Sequence, residues 1–117
     1  MRPKGFPRTH HLRKRSDFER VYAEGTKQVG SKFVLFTLAN GRRHPRLGIT
    51  ATRRLGGAVV RNRARRLVRE AFRSQWEGFA AGYDYVVVAR PGTVTSSPGD
   101  LLPELLALAA RATEPPA

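Results

Sequence analysis

The chain has 117 residues, 40% of them hydrophobic, which suits one domain with a core of its own. Its 22 lysines and arginines against 9 acids give a formal charge of +13, an imbalance that points to a polyanionic partner, nucleic acid before an anionic membrane surface. The absence of cysteine excludes disulfides, thiolate metal sites and cysteine nucleophiles, and no apolar run approaches the roughly 20 residues of a membrane span.

The N-terminal stretch "MRPKGFPRTHHLRKR" reads as a basic arm, about residues 1–12, leading into the fold. No apolar segment follows it, so it is not read as a secretory signal, and the reducing cytoplasm is the expected compartment. A helix is predicted over residues 16–24, where Ser16 and Glu19 have the spacing of a capping box and Phe18, Val21 and Tyr22 share a face. Gly25 ends it. A short strand over 26–30 precedes "SKFVLFTLA" (31–39), a strand apolar on both faces: Phe33, Leu35 and Thr37 on one, Val34, Phe36 and Leu38 on the other. "NGRRHP" (40–45) is a turn signal, and "RLGITAT" (46–52) alternates as a strand, so these two are expected to form an antiparallel hairpin.

Gly56 and Gly57 break the chain before a long helix over 58–78, with an apolar stripe through Val60, Ala64, Leu67, Val68, Ala71, Phe72 and Trp76. "YDYVVVARP" (83–91) reads as a strand buried on both sides, "GTVTSSPG" as a loop, and Asp100 as the cap of a last helix with Pro103 in its first turn. The tail, about 113–117, is expected to fray. The order gives one domain over 1–117 of α+β class, a small, mainly antiparallel sheet with three helices mainly on one side.

At 100° per residue, Arg61, Asn62, Arg65, Arg66, Arg69 and Arg73 occupy the side of the long helix opposite its apolar stripe, with Arg63 at the margin. A solvated face normally mixes signs, because opposite charges at i,i+4 stabilise by about 0.2–0.5 kcal/mol a pair. Here Arg61/Arg65, Arg65/Arg69 and Arg69/Arg73 are like pairs, and only Glu70 offers relief, to Arg66 and Arg73. The pattern therefore reads as a nucleic-acid face, with Asn62 able to meet a base edge or a sugar hydroxyl. A membrane surface or a partner's groove would need the apolar stripe, which the core already uses.

A second feature is the aromatic set Phe18, Tyr22 and Phe36, flanked by Lys14, Arg15 and Arg53. Aromatics left on an incompletely covered sheet face are stacking platforms for single-stranded nucleic acid, and Gly48, Thr50 and Thr52 would leave room for such a strand. Core packing is the competing reading. Signals for an enzyme are weak. No paired carboxylates or phosphate loop stand out, His10, His11 and His44 read as arm or surface residues, and Asp17, Asp84 and Asp100 as helix starts or strand edges rather than metal ligands.

"AVVRNRARRLVREAFR" resembles the RNR signature region of the bacterial ribonuclease P protein component. "RKRSDFERVYAEGTK", "KFVLFTL", "RLGITATRRLGGAVVRNR" and "DYVVVAR" are similar to the same family in the same order, over about residues 12–108. The resemblance implies a ribosomal protein S5 domain 2-like fold with a left-handed βαβ crossover around the arginine helix. It implies the protein subunit of a ribonucleoprotein that removes the 5′ leader from precursor tRNA, with Mg²⁺ held mainly by the RNA and no catalytic side chain in the protein. It assigns Arg61, Asn62, Arg63, Arg65, Arg66 and Arg69 to the catalytic RNA. Lys14, Phe18, Tyr22 and Phe36 are assigned to a cleft for the single-stranded leader, beside which the residue pattern adds Arg53, with no membrane and no further protein partner required. Tyr22 and Phe36 are aromatic variants of what relatives carry there. A non-enzymatic RNA-binding or ribosomal protein of the same fold is the first alternative and a protein-only nuclease the second.

Overall fold

The computed structural model describes residues 10–113. Helix α1 (Arg15–Glu24) leads into strands β1 (Thr26–Val29), β2 (Phe33–Ala39) and β3 (Arg46–Thr50). The long helix α2 (Ala58–Ser74) follows, then β4 (Tyr83–Ala89), the single turn α3 (Pro91–Val94) and α4 (Pro98–Thr113). The class is α+β, as the sequence indicates.

The strand order is β1-β2-β4-β3, so the expected hairpin of β2 with β3 does not form. β4 lies between them, antiparallel to β2 and parallel to β3. The reason is burial. Val86 and Val87 point to opposite faces and both are fully buried, which only a central strand allows. Parallel neighbours need a long crossover, and α2 supplies it. The free edge of β3 is covered by the chain entering the fold: His11 bridges Leu47, and the Leu12 amide donates to the Leu47 carbonyl at 2.8 Å. Residues 10–12 thus belong to the fold rather than to a basic arm, and the rest of that expected arm, like residues 114–117 of the expected tail, lies outside the described residues.

One sheet face packs on α2 and α4. Phe33, Leu35, Leu47, Tyr85 and Val87 meet Leu67, Val68 and Phe72 of α2 and Leu101, Leu105 and Leu108 of α4. The other face carries only α1, through buried Val21 against Val86 and Leu12. One short helix cannot cover four strands, and part of this face stays open.

Local details correct several expectations. Lys14, not Ser16, is the N-cap of α1, and no side chain caps it; Glu19 instead pairs with Arg15 at 3.1 Å. Gly25 does end α1, but with φ −81°, outside the left-handed region. A Cβ there would sit 2.6 Å from the Val21 carbonyl oxygen and 2.7 Å from that of Thr37, so close approach is what requires glycine. The reciprocal cap lies at the other end of the chain. The Asp100 amide donates to Ser97 Oγ (3.2 Å) and the Ser97 amide to Asp100 Oδ2 (3.3 Å). Ser97 is therefore the cap, α4 begins at Pro98, and Pro103 falls in the second turn, where it cannot donate to the Gly99 carbonyl. α2 stops at Ser74, followed by a 3₁₀ turn at Trp76–Gly78, and the expected loop after β4 contains the turn α3.

Candidate nucleic-acid interface

The apolar stripe of α2 is pinned as expected: Ala64, Leu67, Val68, Ala71 and Phe72 are buried. Asn62, Arg63, Arg66, Arg69 and Arg73 are exposed, and Arg61 and Arg65 are half-buried. Among the described residues no arginine of α2 forms an ion pair. The expected relief from Glu70 is not made among the described residues, where Glu19, Asp84, Glu104 and Asp17 pair with Arg15, Arg20, Lys32 and Arg46. Asn62 is engaged with the helix itself, its Oδ1 accepting from Arg65 Nη1 at 3.0 Å. Arg63 turns toward α3, its Nε donating to the Val94 carbonyl at 3.4 Å. The outward cations are thus Arg66, Arg69 and Arg73, while Arg65 leans over the edge of the sheet.

That edge opens on the second surface. On the open sheet face, cross-strand register sets Val34 beside Val88 and Thr50, and Phe36 beside Val86 and Gly48. Gly48 is not the empty floor the sequence suggested. A Cβ there would lie 2.6 Å from the Phe18 ring, because Phe18 occupies the space the glycine leaves. Phe18 and Phe36 are half-buried, packed beside Val21 and Val86 yet open on one side, so the core and stacking readings are both partly met. Tyr22 stands edge-on to Phe36, ring centroids 5.0 Å apart at 86°, and its hydroxyl lies 2.5 Å from Thr50 Oγ1.

Two shallow grooves flank this contact. One, of about 390 Å³, is lined by Arg13, Arg15, Phe18, Ile49, Ala51 and Arg65; the other, of about 370 Å³, by Lys27, Val34, Phe36, Thr52 and Val88. Lys27 Nζ stands 5.9 Å from the centre of the Phe36 ring, a cation–π distance. Of the basic residues expected here, Lys14 caps α1 and lines neither groove, and Arg53 lines an adjoining hollow with Thr52 and Val88. Arg15, also expected beside the aromatics, does line the first groove. Arg13, Lys27 and Arg65 were missed as groove residues. Spacing hinted at Arg13, whereas Lys27 and Arg65 needed the strand register and the passage of α2 past β3.

α1 is fixed over the sheet by a buried ion network. Asp84, fully buried, accepts from Arg46 Nε and Nη2 at 2.7 Å each and from Asn40 Nδ2 at 2.8 Å, with Arg20 Nη2 at 3.7 Å. Asp17 reaches Arg46 at 3.8 Å. Asp84 is thus a central acceptor beneath α1, not a strand-edge residue. The expected surface histidines are also partly internal: His10 is buried, stacked on His44 at 3.8 Å and edge-on to Trp76 at 5.3 Å. Among the described residues no three His, Asp or Glu side chains come together as a metal cluster. Asp84 is committed to Arg46 and Asn40, and Glu104 to Ser31 and the Lys32 amide, so these acids do not fit a resident magnesium site. No helix among the described residues is long and apolar enough to cross a membrane.

A row of unpaired arginines beside a half-open aromatic groove, on an α+β sheet with one face incompletely covered, defines a nucleic-acid-binding protein. Comparison narrows the class. The family model for ribonuclease P matches residues 6–113, and the chain belongs to the ribonuclease P protein component family. The ribonuclease P protein component of Syntrophus aciditrophicus is 35% identical over 98 residues, 84% of this chain and 82% of the relative; that of Clostridioides difficile is 41% identical over 86 residues, 73% and 75%. The solved structure of the RNase P protein from Thermotoga maritima superposes with a TM-score of 0.78 at 33% identity, covering 86% of this chain and 96% of that one. That of Staphylococcus aureus gives 0.75 at 30%, covering 89% and 95%.

Proposed function

We propose that this chain is the protein subunit of a ribonuclease P ribonucleoprotein, which removes the 5′ leader from precursor tRNA. The observation that carries the reading is the pairing of two surfaces on one small fold: arginines on α2 that no acid among the described residues neutralises, and a groove whose aromatics are half-buried or exposed. The first suits the backbone of a large folded RNA and the second a single strand. The catalytic RNA takes Arg61, Asn62, Arg63, Arg65, Arg66 and Arg69, with Asn62 orienting Arg65. The leader takes Phe18, Tyr22 and Phe36, with Lys14 and Arg53 at the margins and Arg13, Arg15 and Lys27 nearer the groove. Phosphodiester hydrolysis belongs to the RNA, which holds the Mg²⁺; the protein's own side chains bind and orient the substrate, in the cytoplasm.

The test is cleavage of precursor tRNA at low Mg²⁺ by protein alone, cognate RNA alone, and both. Cleavage that rises only in the combined sample supports the reading. Cleavage by protein alone points to a nuclease instead, and binding without stimulation to a non-enzymatic RNA-binding protein. Within the complex, Phe18→Ala should weaken leader-bearing RNA by about 1–3 kcal/mol, the value of one base stack, while leaving mature tRNA nearly unchanged.

A further inference from the structure

We propose that the hydroxyl–hydroxyl contact between Tyr22 and Thr50 is a latch across the leader cleft, which single-stranded RNA must open to occupy both grooves. The inference rests on the reading of this cleft as the leader site.

Tyr22 belongs to α1 and Thr50 to the last position of β3, and their hydroxyl oxygens are 2.5 Å apart. Both residues line the groove that holds Phe18 and Arg65, and both line the groove that holds Phe36 and Lys27. The bond therefore stands at the boundary of the two grooves, joining the helix to the sheet. With it closed, the open face offers two short compartments, one flanked by Arg13, Arg15 and Arg65 and the other by Lys27. A strand with a base in each must carry its backbone through the place the bond occupies.

Chemistry favours a contact that opens. Each hydroxyl can donate and accept, and Tyr22 stands at the surface with Thr50 half-buried beside it, so water can satisfy both groups when the pair separates. Tyr22 is 37% exposed and needs little repacking to move. Its ring is supported edge-on by Phe36 independently of the hydroxyl. Breaking the bond costs part of the leader's binding energy. The latch thus sets how strongly the protein prefers a long leader over none.

Tyr22→Phe removes the hydroxyl and keeps the ring; Thr50→Val removes the other partner and keeps a branched strand residue. The experiment measures binding of the reconstituted ribonucleoprotein to mature tRNA and to precursor tRNAs with leaders lengthened one nucleotide at a time. The latch predicts that each variant binds long-leader RNA about two- to tenfold more tightly than wild type, the net value of one hydrogen bond, with mature tRNA unchanged. The double variant should gain no more than either single one, because both remove the same bond. Equal or weaker long-leader binding by Tyr22→Phe, with wild type still preferring leader-bearing RNA, overturns the latch and leaves the cleft assignment standing. Tightening on mature tRNA as well would also overturn it. A wild-type complex that binds long-leader and mature RNA alike removes the cleft assignment and the latch together.

Discussion

Gly48 and Phe18 show how one residue's lack of a side chain places another's. The Phe18 ring lies where a Cβ on Gly48 would sit, with Leu12 Cδ1 3.0 Å from the same point. Gly48→Ala should therefore push Phe18 off the sheet, destabilise the fold by about 1–3 kcal/mol in a urea titration, and reduce leader binding together with stability. A variant as stable as wild type would show that the ring has another seat. His10 supports a prediction in pH. Burial first, then the neighbouring positive charge on His44 and His11, holds its imidazole below the ordinary value of 6.5. The folded state thus resists protonation that the unfolded chain accepts. The stability this contributes is complete above about pH 6.5 and is lost as pH falls through the lower folded value. Thermal melts should decline on acidification below that point, and His10→Gln should flatten the decline. Neither relation could be read from spacing. Phe18 and Gly48 lie 30 positions apart, and His10 looks like part of an arm until β3 captures residues 11 and 12.

α2 is the element whose sequence says most. Its apolar stripe and opposed arginines are present as the 3.6-residue period implies, because the core on one side and charge on the other leave no alternative rotation. What periodicity did not supply is the end, since Gln75 leaves the helix at φ −144° before the apolar pattern stops. It also could not say that Arg63 would turn to Val94 or that Arg65 would be tied to Asn62. Those departures concentrate the free positive charge on Arg66, Arg69 and Arg73. Replacing Arg66 and Arg69 with alanine should weaken assembly with the catalytic RNA and flatten the salt dependence of binding. The slope of log K against log[salt] should fall by about one to two, as two phosphate contacts are lost. Circular dichroism should show the helix intact, because removing like-charge neighbours relieves repulsion rather than packing. An unchanged salt slope would place the RNA on another face.

At the scale of the whole molecule, strand existence was legible and strand order was not. β2 and β3 are neighbours in sequence joined by a good turn, which favours a hairpin; β4, apolar but for its ion-paired Asp84, overrides that local preference by burying both its faces between them. This exchange of order shapes the candidate surface. It puts β3 at the sheet edge, draws α2 across as the connection between parallel neighbours, and so brings Arg65 to the groove where Phe18, Arg13 and Arg15 already stand. The two surfaces proposed for RNA are consequently not separate patches but meet at one residue. Arg69→Ala, on the outward face, should cost assembly alone, and Phe18→Ala should cost leader discrimination alone. Arg65→Ala should reduce both, because its guanidinium borders the groove while its backbone belongs to the arginine helix. Combining Arg69→Ala with Phe18→Ala should add within about 0.5 kcal/mol, since the two share no partner. Combining Arg65→Ala with either should fall short of additivity if one side chain serves both RNAs. Full additivity in every pair would divide the surfaces cleanly and assign Arg65 to one of them.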